Sequence, residues 1–125
     1  MRPMYSPLVL ELFRHPRNYG SVAAPDITHE GMNPLCGDRL RIEVKLDDGR
    51  VQVARFKGDV CAIGTAAASV LTEKLCGMSL SQAADIQMSD ITAVLDADIK
   101  PARVQCVMLS IDTLRAGIKA YEQRV

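Results

Sequence analysis

The sequence predicts an α+β domain: a small three-stranded antiparallel sheet packed by about five helices, the longest of them C-terminal. Three observations predict it. Leu40-Arg41-Ile42-Glu43-Val44-Lys45-Leu46 alternates apolar with charged residues, and after Asp47-Asp48-Gly49 the run Val51-Gln52-Val53-Ala54-Arg55-Phe56 resumes. That is a half-buried strand, a turn signal and a partner strand. Gly64 to Cys76 is rich in Ala and Leu and stops at Gly77. From Pro101 onward Val104, Val107/Met108, Ile111, Leu114 and Ile118 step at threes and fours, the stripe of a long amphipathic helix.

The elements follow in order. Ser6 to Phe13 reads as a short helix with Pro7 at its first position and Leu8, Val9, Leu12 and Phe13 at helical spacing. His15-Pro16 ends it, because the residue before proline avoids the helical region. Val22 to Asn33 links onward, with an edge strand near Ile27 to Glu30. After the hairpin, Thr65 is placed to cap the Gly64–Cys76 helix. Ser79 caps a short helix from Leu80 to about Ile86, and Ser89-Asp90 opens another around Ile91 to Leu95. Pro101 is either the first residue of the last helix or lies just ahead of it, and that helix ends near Tyr121. No repeat or linker divides the chain, so residues 1–125 read as a single domain.

Composition excludes several function classes. Of 125 residues, 48% are apolar and 24% charged, ordinary for a globular protein. Zero formal net charge and 4% aromatics argue against a general nucleic-acid or membrane-surface binder. Met1 to Pro7 lacks the features of a signal peptide, and no stretch reaches the roughly 20 apolar residues of a membrane span. The expected compartment is the cytoplasm, where four cysteines are thiols or ligands rather than disulfides.

Three of those cysteines sit at junctions of elements. Cys36 lies in Asn33-Pro34-Leu35-Cys36-Gly37-Asp38, Cys61 in Gly58-Asp59-Val60-Cys61-Ala62-Ile63-Gly64, and Cys106 in Arg103-Val104-Gln105-Cys106-Val107. Three thiolates and the carboxylate of Asp38 suit a thiophilic metal or an iron–sulfur cluster. Cys61 and Cys106 each stand near a helix start, where the helix field favours thiolate. The cysteines are 25 and 45 positions apart, without the close C-x2-C pairs of a structural zinc knuckle, so an open, exchangeable site is expected. The competing reading makes each a small core residue. Cys76, at a helix end, reads as a core or surface thiol. His15 reads as a capping or packing residue of the first helix and His29 as a solvated residue of the edge strand. Met78, Met88 and Met108 read as core filler. Arg14, Arg17, Arg39 and Arg41 read as a basic face near the Cys36 loop, either merely solvated or able to dock an acidic partner.

These segments, with Phe56-Lys57-Gly58-Asp59-Val60-Cys61-Ala62-Ile63, Ala67-Ala68-Ser69-Val70-Leu71-Thr72-Glu73, Gly77-Met78-Ser79-Leu80 and Val104-Gln105-Cys106-Val107-Met108-Leu109, resemble the U-type iron–sulfur cluster scaffolds, the IscU/SufU/NifU N-terminal family. Tyr5-Ser6 and His15-Pro16-Arg17-Asn18-Tyr19-Gly20 resemble that family's opening helix and the segment after it. The resemblance implies a protein on which a nascent [2Fe-2S] cluster is assembled and then transferred to acceptor or carrier proteins. Cys36, Asp38, Cys61 and Cys106 match the family's ligand positions, where zinc is the alternative occupant. Sulfur would arrive from a cysteine desulfurase as persulfide, with Cys106 the expected acceptor and Asp38 keeping the site labile.

The departures matter. Gln105 stands where many members have His, so the implied ligand set is three Cys plus Asp38, as in the SufU-like branch. The insertion usual in that branch between the second and third Cys is absent. The family's chaperone motif survives only as Ile99-Lys100-Pro101-Ala102-Arg103, which weakens the expectation of a dedicated Hsp70 chaperone. The rival reading is a zinc-dependent sulfurtransferase using the same residues. A structural zinc protein and a thiol hydrolase are further alternatives, the latter lacking a His placed to partner any Cys.

Overall fold

The computed structural model describes residues 2–124; Met1 and Val125, the ends of the expected domain, lie outside the described residues. Three antiparallel strands, β1 (Ile27–Asn33), β2 (Asp38–Asp47) and β3 (Arg50–Asp59), form a sheet in the order β1-β2-β3. The helices are α1 (Pro7–Arg14), α2 (Ala62–Leu75), α3 (Leu80–Ala84), α4 (Met88–Leu95) and α5 (Val104–Arg124), the last preceded by a 3-10 turn at Pro101–Arg103. At 21 residues α5 is the longest.

The hairpin predicted between residues 40 and 56 is longer at both ends. Asp48 and Gly49 both take positive φ (53° and 77°), the primed turn geometry that matches strand twist. Leu40, Ile42 and Val44 of β2 and Val51, Ala54 and Phe56 of β3 point inward and are at most 4% exposed. A register shift between Lys45 and Leu46 accounts for the broken alternation in β3. The edge strand runs on to Asn33 rather than stopping near Glu30, paired from Ile27↔Val44 to Asn33↔Asp38.

Ser6 caps α1: its hydroxyl accepts from the Val9 N–H and donates to the Leu95 carbonyl at 2.6 Å, tying α1 to the end of α4. His15 closes α1 with its N–H on Glu11 O, as expected of a cap. Ser79 and Gln82 form a capping box on α3, and Asp90 accepts from the Gln87 N–H at the start of α4. Arg115 of α5 donates to the carbonyls of Ala84 and Ile86, holding the α3–α4 corner. Met78, Met88 and Met108 pack against the core from its margin, as filler should.

Helix α5 lies across β1 at close range, and two glycines permit it. A Cβ on Gly31 would meet Thr113 Oγ1 at 2.0 Å, and one on Gly117 would meet His29 Cβ at 3.0 Å and Ile27 Cγ2 at 3.1 Å. His29 is therefore half-buried against α5 rather than solvated. Gly31→Ala is expected to destabilise by about 2 kcal/mol through overpacking. Adding Thr113→Ala should recover most of that loss. Denaturant unfolding of the two single variants and the double variant measures the coupling, and additive effects would refute the contact.

Candidate functional site

The four candidate ligand residues come from three stretches of chain, Cys36 and Asp38 sharing one. Asn33 and Asp38 face each other across the β1–β2 turn, so Cys36 rides on a short loop. The loop is held by the Gly37 N–H on Asn33 O (2.8 Å) and the Leu35 N–H on Asn33 Oδ1 (3.1 Å), with Gly37 at φ +77°. Cys36 is exposed on this loop, whereas Asp38, the first residue of β2, is 8% exposed. Cys106 lies in the first turn of α5 and is 3% exposed. One ligand atom each from Cys36, Asp38 and Cys106 falls within 4.8 Å of the others.

Cys61 is not among the three residues whose ligand atoms share this 4.8 Å group; it stands beside Asp38. It is the N-cap of α2, its Sγ accepting from the Gly64 N–H at 3.4 Å. Helix α2 thus starts at Ala62 and is capped by Cys61, not by Thr65, whose hydroxyl instead donates to Val60 O. The Cys61 N–H donates to Asp38 Oδ2 at 3.2 Å. Gly64 makes the approach possible: a Cβ there would stand 2.4 Å from Val60 Cγ1 and 3.2 Å from Cys106 O. Sequence reading took Gly64 only as a helix start, because a tertiary contact with α5 leaves no local signal.

At Cys61 the electrostatics run against the expectation of a helix-activated thiolate. Burial pushes the Cys61 thiol up to about 12; the Gly64 N–H opposes this, and Cys106 and Asp38 add to it. At Cys36 the Asp38 N–H lowers the pKa, but burial and the Asp38 carboxylate outweigh it and the net shift is upward. Arg103, three residues before Cys106, is the neighbouring cation. Hydrogen bonding to Cys106, then Tyr5, raise its own pKa. Its i, i+3 spacing from Cys106 was the signal that could have revealed it.

The grouped donors, two sulfur and one oxygen, with Cys61 beside Asp38, suit a soft ion. A tetrahedral ion with bonds near 2.3 Å needs donor separations of about 3.8 Å, and the three grouped donors lie within 4.8 Å of one another. Cys36 and Cys61 are both thiols at neutral pH, so metal loading through them displaces at least two protons. Apparent affinity should therefore rise about 100-fold per pH unit below pH 8. Zinc calorimetry in buffers of different ionisation enthalpy measures the proton count; a count near zero would contradict the raised thiols.

The other candidates lie elsewhere. Cys76 is an exposed thiol at the far end of α2, about 20 Å from Cys61 along a 14-residue helix. The basic face is not continuous as expected. Arg14 ends α1, and Arg17 pairs with Glu73 of α2 at 3.7 Å. Arg39 and Arg41 stand on the sheet, on the face away from the helices.

Residues 4–125 match the family model described as the NifU-like N terminal domain. The chain belongs to this family. It is 36% identical over 128 residues to the "Iron sulfur cluster assembly protein 1, mitochondrial" of Candida glabrata, covering 98% of this chain and 59% of that protein. It is 31% identical to the "Zinc-dependent sulfurtransferase SufU" of Bacillus subtilis, covering 95% of this chain and 92% of the relative. It is 34% identical to the "Iron-sulfur cluster assembly scaffold protein IscU" of Escherichia coli K12, covering 96% and 95%. The chain thus spans under two thirds of the fungal relative and nearly all of the two bacterial ones. In fold it is similar to a SufU-type protein from Fervidobacterium islandicum (TM-score 0.79, 23% identity, covering 92% of this chain and 96% of that one). A NifU-like N-terminal protein from Brucella abortus is alike to the same degree (TM-score 0.78, 22% identity, covering 98% and 96%). Among the described residues of this NifU-like domain, no helix is long and apolar enough to cross a membrane.

Proposed function

We propose that this chain is a scaffold on which an iron–sulfur cluster is assembled and from which it is handed on. The observation that carries this reading is the convergence of Cys36, Asp38 and Cys106 within 4.8 Å, with Cys61 bonded to Asp38 beside them. Iron and sulfur are cargo, held by Cys36, Cys61 and Cys106 with Asp38. Sulfur comes from a cysteine desulfurase, and acceptor or carrier proteins take the product. Cys106 is the sulfur acceptor: its thiolate attacks the terminal sulfur of the donor's persulfide, an S–S bond forms on Cys106, and the donor cysteine leaves as thiolate. Arg103, hydrogen-bonded to Cys106, places its positive charge beside the attacking sulfur. Reducing that sulfur to sulfide takes two further electrons, which an external reductant supplies. The domain assignment, one U-type scaffold unit over the whole chain, belongs to this reading.

A second reading keeps the residues and changes the cargo. Two sulfur donors and one oxygen donor within 4.8 Å, with Cys61 beside them, also suit zinc, which would make the chain a zinc-dependent sulfurtransferase rather than a builder of clusters. Anaerobic reconstitution with ferrous iron, cysteine and a cysteine desulfurase separates them. Near-stoichiometric iron and sulfide, lost in Cys→Ser variants at 36, 61 and 106 and kept at 76, is the expected result. Retained zinc without sulfide, together with desulfurase stimulation that needs the same three cysteines, would establish the second reading instead.

A further inference from the structure

The sheet has a face without helices, and it is only half covered. Asn18 to Gly20 pair with the outer edge of β3, through Phe56 N–H on Asn18 O (3.0 Å) and Gly20 N–H on Phe56 O (2.8 Å). β1 lies at the opposite edge, so residues 21–26 must cross the sheet to reach it. They cross at one end. The Val22 N–H donates to Glu43 Oε1 (2.8 Å), Arg55 to Ser21 O (3.2 Å) and Lys45 to Ala24 O (3.1 Å). Glu43 is consequently 4% exposed.

The end nearer the metal group is left open. It forms a concavity of about 340 Å³ whose cations are Arg39, Arg41 and Lys57. Arg41 stands directly opposite Lys57 in the strand register. Like charges so placed repel and weaken a sheet. Arg41 has an ion pair with Glu43 at 2.8 Å, with an angle too bent for a hydrogen bond. Among the described residues, Arg39 and Lys57 have no carboxylate within 4.0 Å; Lys57 reaches only Ser21 Oγ.

This open end adjoins the ligands. Strand alternation sends Asp38 to the metal group and Arg39, the next residue, to the outer face. Beside it stand two exposed apolar side chains, Met32 (55%) and Leu35 (88%), the latter next to Cys36. A basic surface with apolar anchors at its rim fits a protein partner. It fits a nucleic acid poorly, because Glu30 and Asp59 share the concavity and its one aromatic is Tyr19.

We propose that Arg39, Arg41 and Lys57, flanked by Met32 and Leu35, form the docking surface for an acidic patch on the sulfur-donating protein. This rests on the function proposed above. A donor seated there meets the ligand group from the side of Cys36, its exposed member.

Affinity of the zinc-loaded protein for a cysteine desulfurase at low and high salt tests it, alongside metal content and thermal unfolding. The Arg39→Glu/Arg41→Glu/Lys57→Glu variant should bind about 100-fold more weakly at low salt and only a few-fold more weakly at high salt. Its zinc content should be unchanged, and an Arg50→Glu/Lys119→Glu control should bind as wild type. Should the triple variant fold poorly, Arg39→Gln/Lys57→Gln should still weaken binding about tenfold. Wild-type affinity in both charge variants would overturn the docking surface alone. A wild-type protein that neither binds nor takes sulfur from the desulfurase would overturn the functional reading, and this inference with it. Micromolar binding of inorganic phosphate or a short RNA, lost in the triple variant, would assign the face to a free polyanion and also overturn the proposal.

Discussion

Asp38→Ala is expected to turn a site that releases its cargo into one that retains it, slowing transfer to an acceptor protein about tenfold to a hundredfold while loading persists. Asp38 is the only hard donor in a group otherwise made of sulfur, and it bears on the thiols as well as on the metal. Its carboxylate contributes to raising the pKa of both Cys36 and Cys61. Without it the two thiols ionise at lower pH, and thiolates hold soft iron or zinc more firmly than thiols do. The loss of the Cys61 N–H hydrogen bond works the other way, loosening the start of α2, but Gly64 still donates to Cys61 Sγ there. Anaerobic transfer from preloaded wild type and variant to an apo-ferredoxin, followed by visible absorption, gives the two rates. Equal rates would remove Asp38 from the release step.

Arg103→Ala is expected to act on a different step. Loading with zinc should be little changed, while sulfur acceptance at Cys106 falls about tenfold, because the guanidinium bonds the attacking sulfur and offsets charge developing there rather than holding the metal. Mass spectrometry of persulfidated Cys106 after brief exposure to the desulfurase and cysteine reads this directly. Recovery in Arg103→Lys would point to the charge; failure of Lys to recover it would point to the guanidinium geometry.

Much of this architecture is legible in the sequence because its signals are local. Alternation from Leu40 to Leu46, the Asp48-Gly49 turn and the stripe from Val104 to Ile118 each report a surface that one strand or helix must bury. The candidate site residues were singled out for a related reason: Cys36, Cys61 and Cys106 stand beside glycine, proline or a helix start, where segments end and side chains can meet, and the structure gathers Cys36 and Cys106 with Asp38. What was not legible depends on contacts between distant segments. Cys61 as the cap of α2 follows from the seating of α2 against α5, which starts the helix at Ala62 and leaves Thr65 inside it. His29 is half-buried because Gly117, 88 positions later, lets α5 press on β1. The four arginines read as one basic face are split between the two sides of the sheet, since residues 15–20 carry Arg17 to the helical side, against Glu73. Lys57 joins Arg39 and Arg41 only through strand register.

Gly58→Ala is the substitution expected to damage the fold most per atom added. Gly58 takes φ +145°, a conformation that residues with a Cβ rarely adopt. A Cβ there would lie 2.1 Å from the carbonyl oxygen of Arg39 and 3.2 Å from the Leu40 Cα. Both obstacles are backbone of the paired strand, so no rotamer change relieves them, unlike the Thr113 side chain facing Gly31. The strands must separate just where they carry Asp38 on one side and lead to Cys61 on the other. Strain and overpacking together should cost about 4 kcal/mol, a fall in Tm of roughly 10 °C or more. The same displacement stretches the bond from the Cys61 N–H to Asp38, so zinc affinity should fall with stability, and excess zinc should recover part of the lost Tm by mass action. Calorimetry of apo and zinc-loaded variant tests both. An apo protein as stable as wild type would mean that β2 and β3 can part at this point without loss, and the close approach of Gly58 to Arg39 would then not be what sets the spacing of Asp38 and Cys61.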